Sequence, residues 1–339
     1  MNETTTAVRI ATRASALALW QARAVAESLA RHGARTRLIE VSTKGDEDQR
    51  PFASMPGSGF FTKAVQDAVL SGAADIAVHS YKDLPSAPTP GLVLAAVPAR
   101  ADARDVLLVL PAAHDPGAEG LPLVPGARVG TSAARRRAQL LALRPDIAPA
   151  ELRGNVPTRV AKLRDGLYDA IVLAKAGLDR LELDLDGLHA VTLEPEVMMP
   201  APAQGALAIE AREDDQRLLE LLGRLDDHGL RRTVTAEREL MALFDAGCQL
   251  ALGAHATRSE DDRWISLSAW YDSRRVLCGH QEPAQAALLA FKALQGTEPA
   301  SMSRSGESRS RASSSGASST GNASKDDDGR PTVGIGADW

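Results

Sequence analysis

Apolar and polar positions along the first 80 residues predict a repeated strand and helix order. Short apolar runs at Val8–Thr12, Arg35–Val41 and Ala74–Ser80 have the length of strands. Between them, Ala14–Arg31 and Phe60–Leu70 carry apolar residues at helical spacing. This β-α-β-α-β order predicts a parallel sheet with right-handed crossover connections.

A second strand and helix series follows a proline-rich connection. Met199–Glu210 is then expected to be a loop and strand that lead back to the first series. The sequence therefore predicts an α/β fold with a first domain at 1–101 and 200–222 and a second at 102–199. The predicted elements of the second domain are strand Asp105–Leu110, strand ends at Arg128–Ser132 and Ala150–Gly154, helices Ala133–Leu143 and Pro157–Arg164, strand Asp169–Ala174 and a helical turn at Gly177–Leu183.

Residues 223–297 are predicted to form a small third α/β domain. Helical spacing up to Asp245 is followed by Cys248, by strands around Trp264–Trp270 and Arg275–Gly279, and by a helix at Pro283–Leu294. Residues 298–339 are rich in serine. Such a composition cannot bury enough apolar surface to offset chain entropy, so a disordered tail is expected.

Composition narrows the possible classes of function. The net charge of −5 provides no bulk positive field for nucleic acid. No apolar stretch reaches the length of a membrane span, and the first residues lack the layout of a signal peptide, so a cytoplasmic protein is expected. The two cysteines cannot build a disulfide framework, and no Cys or His spacing predicts a metal site. Cys278 is expected to be a buried free cysteine within a strand.

Polar side chains crowd the end of the third predicted strand. His79, Ser80, Lys82 and Asp83 follow its buried apolar run. Ligands of open α/β sheets bind at the carboxyl ends of the strands, so this cluster is a candidate site. The long segment Thr43–Gly59 has no periodicity, which is typical of a functional or mobile loop.

Other strand ends carry residues suited to binding anions. Helix N-termini favour negative charge, and arginine pairs with carboxylates through two parallel hydrogen bonds. These sites together imply a ligand with several negative groups, and Asp83, the one carboxylate among the cations, suits stabilisation of a developing positive charge. Cys248 is a candidate nucleophile or attachment point. The anion-binding segments are Thr12–Ser15, Thr131–Ser132 with Arg135, Arg136 and Arg137, and Arg153–Asn155 with Arg159.

Taken in order, these segments resemble the porphobilinogen deaminase family over roughly residues 7 to 280. Each piece is a weak signal, whereas the ordered set is specific. The matching pieces are Ile10–Ser15, Leu19–Gln21, Asp75–Asp83, Arg104–Asp105, Val129–Ser132 with Arg135 and Arg136, Leu152–Val156 with Thr158 and Arg159, Tyr168–Ala174, Ala176–Leu178 with Arg180, Pro200–Ala201, Gln204–Ala206 and Gly247–Gln249.

The resemblance implies an activity, a cofactor and a fold. The family condenses four porphobilinogen molecules head to tail with loss of ammonia, and hydrolysis releases the linear tetrapyrrole hydroxymethylbilane for heme biosynthesis. The chain grows on a dipyrromethane cofactor held by a thioether, here expected at Cys248. The implied fold has two hinged domains like those of a periplasmic binding protein, a third domain carrying the cysteine, and a lid at Thr43–Gly59. A monomer is expected.

Site roles also follow from the resemblance, position by position. Asp83 matches the catalytic aspartate. The residues expected to bind the cofactor are Cys248, Lys82, Ser80, Thr131, Ser132, Arg135 and Arg136. The residues expected to bind porphobilinogen and the growing pyrrole chain are Arg13, Ser15, Arg153, Arg159, Arg180, Gln21 and Gln204.

Two alternative functions stay open on the sequence alone. A non-catalytic anion-binding module of the same architecture would need neither Cys248 nor Asp83. A regulator effector domain of similar fold would need a helix-turn-helix, for which no spare segment is present. The chain also departs from the family pattern at Pro157, at Ala133 and Ala134, and in the loop at 56–59.

Overall fold

Strands and helices alternate through most of the chain, as the hydrophobic pattern predicts. A computed structural model describes residues 7–42, 62–244 and 250–297. Three features predicted from the sequence lie outside the described residues: the Thr43–Gly59 loop, Cys248 and the tail at 298–339.

Thirteen strands and eight helices lie within the described ranges. The strands are β1 (Val8–Arg13), β2 (Thr36–Val41), β3 (Ile76–Ser80), β4 (Leu92–Ala96), β5 (Asp105–Val109), β6 (Arg128–Gly130), β7 (Ala148–Ala150), β8 (Ala170–Ala174), β9 (His189–Leu193), β10 (Leu207–Arg212), β11 (Gly253–Arg258), β12 (Ile265–Tyr271) and β13 (Arg274–His280). The helices are α1 (Ala16–Arg31), α2 (Lys63–Leu70), α3 (Ala134–Leu143), α4 (Val156–Arg164), α5 (Lys175–Leu181), α6 (Gln216–Gly223), α7 (His228–Leu243) and α8 (Pro283–Gln295). Single 3-10 turns occur at Tyr81–Asp83 and Pro111–Ala113.

The first sheet has the strand order β2-β1-β3-β10-β4. β1 runs parallel to β2 and β3, whereas β10 runs antiparallel to β3 and β4. Helices α1 and α6 cover one face, and α2 covers the other. The side chains that make these two apolar layers include Ile10, Val25, Leu29, Ile76, Ile209 and Leu222 on one face and Ala11, Val65, Val69 and Ala77 on the other.

The second sheet repeats this topology with the order β7-β6-β8-β5-β9. β6 runs parallel to β7 and β8, and β5 runs antiparallel to β8 and β9. In both sheets the antiparallel strand is the first one after the chain crosses from the other sheet. In each sheet the carboxyl ends of the other four strands therefore share an edge with the start of the strand that has just crossed over.

The predicted parallel arrangement is confirmed for β1, β2 and β3, while each five-stranded sheet as a whole is mixed. A local β-α-β pattern predicts the relative direction only of strands that are close in sequence. β10 enters the first sheet from a distant segment and pairs in the opposite direction. Mixed sheets of this kind are common where an antiparallel strand joins a parallel set.

The third sheet is antiparallel, with the order β11-β12-β13. Its apolar face packs against α7 and α8 through residues that include Leu240, Leu267 and Ala290. Cys278 lies in this core with 1% of its surface exposed, and burial raises the pKa of its thiol to about 11. The predicted buried free cysteine is confirmed at this position. The predicted α/β class, with two similar larger sheets and a small third one, is confirmed as well.

The two segments that cross between the larger sheets touch each other. The amide of Ala101 donates to the carbonyl of Gly205 at 3.1 Å. Gly205 has φ +87°, and a Cβ at this position would collide with the carbonyl oxygen of Ala101. Arg100 in the first crossing also pairs with the buried Glu237 of α7 at 2.7 Å, and Glu237 accepts the amide hydrogen of Ala203 in the second. One buried ion pair thus fixes both crossings against the helix that precedes the third sheet.

Candidate active site

Polar side chains gather where β1 and β3 end and β10 begins. Leu207 is in register with Ser80, so the residues before β10 lie beside the turn Tyr81–Asp83. The amide of Gln21 in α1 donates to the hydroxyl of Ser80 at 2.8 Å. Ser15 caps α1 by accepting the amide hydrogen of Ala18. The fold therefore brings Ser15, Gln21 and Ser80 together at one edge of the first sheet.

A pocket of about 70 Å³ opens at this edge. Asp83 is exposed there, whereas His79 is almost completely buried. The pocket brings together residues that the sequence assigned to catalysis and to substrate binding. Its polar lining includes Arg13, Ser15, Gln21, His79, Ser80 and Asp83.

The second sheet presents its own polar edge at the ends of β6 and β7. The hydroxyl of Ser132 donates to the carbonyl of Leu152 at 2.5 Å and holds together the segments that follow these two strands. Asn155 caps α4 by accepting the amide hydrogen of Thr158 at 3.0 Å. Pro157 lies in the first turn of α4, where it leaves no helical hydrogen bond unmade. The departure at Pro157 therefore leaves this helix intact.

A buried carboxylate, Asp105, organises the arginines of the second edge. Its side chain is fully buried and pairs with Arg135 at 2.9 Å and with Arg136 at 2.8 Å. Burial alone would raise the pKa of Asp105, but the two guanidinium groups and the amide of Gln204 hold it well below its usual range. Asp105 is therefore an anion that fixes the first turn of α3.

Arg135 and Arg136 differ in what they have left to offer a ligand. Arg135 also donates to the carbonyl of Met199 at 2.6 Å. Arg136 donates to the carbonyl of Val172 at 2.9 Å, and its buried Nε has no hydrogen-bond partner among the described residues. Arg136 thus retains an unsatisfied donor, while Arg135 acts mainly inside the fold.

Gln204 connects the two edges through its side-chain amide. Its Nε2 donates to the carboxylate of Asp105 at 2.8 Å, and its Oε1 accepts from the ammonium of Lys82 at 3.2 Å. Gln204 is fully buried. In this structure its amide positions Lys82 relative to Asp105 and Arg136.

The charges from both sheets act on one another across the site. Burial lowers the pKa of Lys82 to about 8, with Arg136 acting in the same direction and Asp83 opposing it. Burial also lowers the pKa of Arg159 to about 10, again with Arg136 adding to the effect and Asp83 opposing it. We call Lys82, Arg136, Arg153 and Arg159 the cleft cations. Asp83 is the carboxylate that faces Lys82 and Arg159 among them.

Arg180 joins the second sheet to the first near the same site. Its guanidinium donates to the carbonyl of Gly205 at 2.8 Å and lies 5.5 Å from the ring centre of Trp20 in α1. Its buried Nε has no hydrogen-bond partner among the described residues. Burial lowers the pKa of Arg180, and the carboxylate of Asp179 opposes this effect.

The donor set fits a ligand that carries several carboxylates. Arg136 and Arg180 each keep a buried Nε without a hydrogen bond to the described residues, and Lys82 and Arg159 have lowered pKa values. Carboxylates would satisfy these donors through charge-assisted hydrogen bonds. Within the described ranges, no group of three His, Cys, Asp or Glu side chains is placed to hold a metal ion. None of the helices in those ranges is long and apolar enough to cross a membrane.

The role of Asp105 can be tested by removing its charge. Asp105→Asn leaves two buried guanidinium groups without their carboxylate, so we expect the free energy of unfolding at neutral pH to fall by about 3–5 kcal/mol. Because the folded pKa of Asp105 is depressed, its stabilising effect is present above roughly pH 4, the unfolded value, and is lost as pH falls through the folded value. Chemical denaturation across pH would show the two proteins converging in acid.

Asp102→Asn is the matched control for this experiment. Asp102 also pairs with an arginine, Arg104, at 2.6 Å, but both side chains are partly exposed. Exposed pairs contribute about 0–1 kcal/mol, so this variant should unfold close to the wild type. Equal losses in both variants would contradict a special role for Asp105.

Comparison with known proteins identifies the family. The family model for the porphobilinogen deaminase dipyrromethane cofactor-binding domain matches residues 8–220, and the model for the family's C-terminal domain matches residues 231–272. The chain belongs to the porphobilinogen deaminase family, and is therefore an enzyme with that family's cofactor-binding domain. The resemblance found in the sequence is confirmed.

Individual relatives support the same assignment. Porphobilinogen deaminase of Roseiflexus sp. is 46% identical over 256 residues, which cover 75% of this chain and 82% of the relative. The enzyme of Mycobacterium tuberculosis is 48% identical over 250 residues, covering 74% and 78%. Among solved structures, the periplasmic VFT2 domain of Bordetella pertussis BvgS is 16% identical with a TM-score of 0.39, covering 65% of this chain and 86% of that one.

Proposed function

We propose that this chain joins four porphobilinogen molecules head to tail, releases ammonia at each step and yields hydroxymethylbilane. The observation that carries the proposal is the site itself: Lys82 from the first sheet and Arg159 from the second both face the carboxylate of Asp83. Porphobilinogen has two carboxylates and an aminomethyl group. The cations suit the carboxylates, and Asp83 suits the positive charge that develops when the amine leaves.

The residues that would hold the dipyrromethane cofactor lie mainly at the carboxyl ends of strands in the two larger sheets. When bound through a thioether to Cys248, the group supplies the primer to which pyrrole units are added. Lys82 and Arg136 have the donors to pair with its carboxylates, and the hydroxyls of Ser80, Thr131 and Ser132 lie at the same strand ends. Arg135 would act indirectly, because its guanidinium already pairs with Asp105.

The substrate and the growing chain would be held by the remaining site residues. Arg13, Ser15 and Gln21 line the pocket beside Asp83. Arg153 and Arg159 would approach the substrate from the second sheet, where the carbonyl of Gly154 accepts from Arg159 at 2.7 Å. Arg180 and Gln204 would act where the two crossings meet, Arg180 as a carboxylate donor and Gln204 by positioning Lys82.

The domain boundaries are part of this proposal. We assign 1–101 and 200–222 to the first domain, 102–199 to the second and 223–297 to the third, in accord with the three sheets. The partners are porphobilinogen and the pyrrole chain, with no nucleic acid and no membrane. We further propose a monomer in the cytoplasm, which sedimentation and cell fractionation would test.

The charge of Lys82 predicts how cofactor capture depends on pH. With a pKa of about 8, Lys82 loses its proton as pH rises through that value and then pairs poorly with a carboxylate. We expect the affinity of the cofactor-free protein for the cofactor to fall above pH 8, by at most about tenfold per pH unit for one proton. Lys82→Arg should bind across the same range without this fall, because arginine stays protonated. An identical pH dependence in both proteins would contradict the assignment.

The function is tested by incubating the purified protein with porphobilinogen. We expect one ammonia released per porphobilinogen consumed and hydroxymethylbilane as the product, seen by its cyclisation to uroporphyrinogen I and the oxidation of that product to uroporphyrin I with added oxidant. Binding of porphobilinogen without release of ammonia would instead favour the non-catalytic module.

A further inference from the structure

A buried histidine and a buried glutamate lie between two pockets of the first sheet. His79 lines the pocket that also holds Asp83. Its Nε2 lies 3.2 Å from Oε2 of Glu210 on the neighbouring strand β10, close enough for an ion pair, although Nε2 makes no hydrogen bond to the described residues. The two side chains are 3% and 9% exposed, so the pair is screened from bulk water on most sides.

Glu210 in turn lines a second pocket, of about 110 Å³. The amide of Gln66 in α2 donates to the same carboxylate oxygen at 2.9 Å and fixes its position. Arg238 of α7 lies over the ring of Tyr81 at 4.9 Å and forms part of the wall. The pair therefore connects a lining residue of one pocket with a lining residue of the other.

The chemistry of condensation requires a proton acceptor at this place. The methylene carbon of one porphobilinogen unit bonds to the α-carbon of another ring. Immediately after this bond forms, the α-carbon still carries its hydrogen. Breaking the C–H bond returns its electron pair to the ring and restores aromaticity, and a proton must leave. Ammonia leaves in the earlier C–N cleavage, before the C–C bond forms and this proton is lost. Asp83 is placed to stabilise the cation, and a second group is needed for the proton.

We infer that His79, placed beside Glu210, accepts the ring proton at each condensation. Because Nε2 faces Glu210, Nδ1 is the nitrogen left to take the proton. The carboxylate of Glu210, 3.2 Å away, offsets the positive charge that His79 gains with the proton. His79 then releases the proton to solvent through the pocket that it lines, which prepares it for the next condensation. This inference rests on the proposed function.

The test uses porphobilinogen carrying deuterium at the ring α-carbon, with His79→Gln and Glu210→Gln in the full chain. In the wild type we expect little isotope effect on turnover, because the acceptor makes proton loss fast. Without the acceptor, proton loss becomes slow, so turnover should fall by roughly 100-fold in His79→Gln and a primary isotope effect should appear. Glu210→Gln, which keeps the imidazole, should show a smaller fall with an isotope effect between the two.

Two further measurements make the result decisive. Intact mass should show the same fraction of cofactor-loaded protein in both variants as in the wild type. His255→Gln, a change at a mostly buried histidine of the third sheet, should show no isotope effect. A fall in turnover explained wholly by lower loading, or one without an isotope effect, would overturn the inference and make the pair structural. If His79→Gln does not fold, the isotope effect on turnover in Glu210→Gln, at equal cofactor loading, tests the inference in its place. Wild-type protein that releases no ammonia would instead refute the proposed function.

Discussion

Asp83→Asn is expected to reduce turnover by about 100-fold or more, which corresponds to about 2.7 kcal/mol of activation free energy. The amine of porphobilinogen is protonated at neutral pH and leaves as ammonia without further acid assistance. Positive charge then develops on the ring, and a fixed carboxylate stabilises it. The asparagine keeps nearly the same shape but carries no charge. Steady-state kinetics together with intact mass would separate lost turnover from lost cofactor.

Asp83→Glu is the matched control, because it keeps the charge and changes the length. It should retain more activity than the amide variant. The neighbouring cations favour this outcome. Burial lowers the pKa values of Lys82 and Arg159, and the negative charge of Asp83 raises them, so the charge of Asp83 interacts with both cations. Equal activity in the two variants would show that Asp83 positions the substrate and does not stabilise charge.

Cys248→Ala is expected to give folded protein with no added mass and no turnover. A thioether needs a thiol, and the protein has only two cysteines. Cys278→Ala should keep both the added mass and the activity. The thiol of Cys278 is 1% exposed in the core of the third sheet, and burial raises its pKa to about 11, so it is a poor nucleophile at neutral pH. Added mass that persists in Cys248→Ala would contradict the attachment.

Features set by local sequence could be predicted well. The helix after β1 was expected from Ala14, and it begins at Ala16 because Ser15 adopts the extended conformation of an N-cap. Buried apolar runs such as β3 and β8 were predicted within about two residues. The strand ends that carry Ser80, Thr131 and Arg153 follow directly from those elements.

Features set by distant pairing could not be predicted. Strand β4 follows proline-rich sequence, and β9 is an edge strand with exposed residues, so neither shows a clear pattern. Asp105 meets Arg135 and Arg136 only because β5 pairs antiparallel with β8. His79 meets Glu210 because β10 enters beside β3 after a long excursion. From residue type alone, Arg135 and Arg136 were assigned the same role. Their hydrogen bonds differ: Arg135 donates to the backbone of Met199, whereas the buried Nε of Arg136 has no partner among the described residues.

The central claim is that this site builds a pyrrole chain on a covalently held primer. Intact mass spectrometry of the purified full chain, before and after brief exposure to porphobilinogen, tests it most directly. We expect a starting mass that exceeds the sequence mass by one dipyrromethane, followed by a ladder of species that differ by one pyrrole unit and that extends no further than four. A mass equal to that of the sequence, unchanged by porphobilinogen, would contradict it.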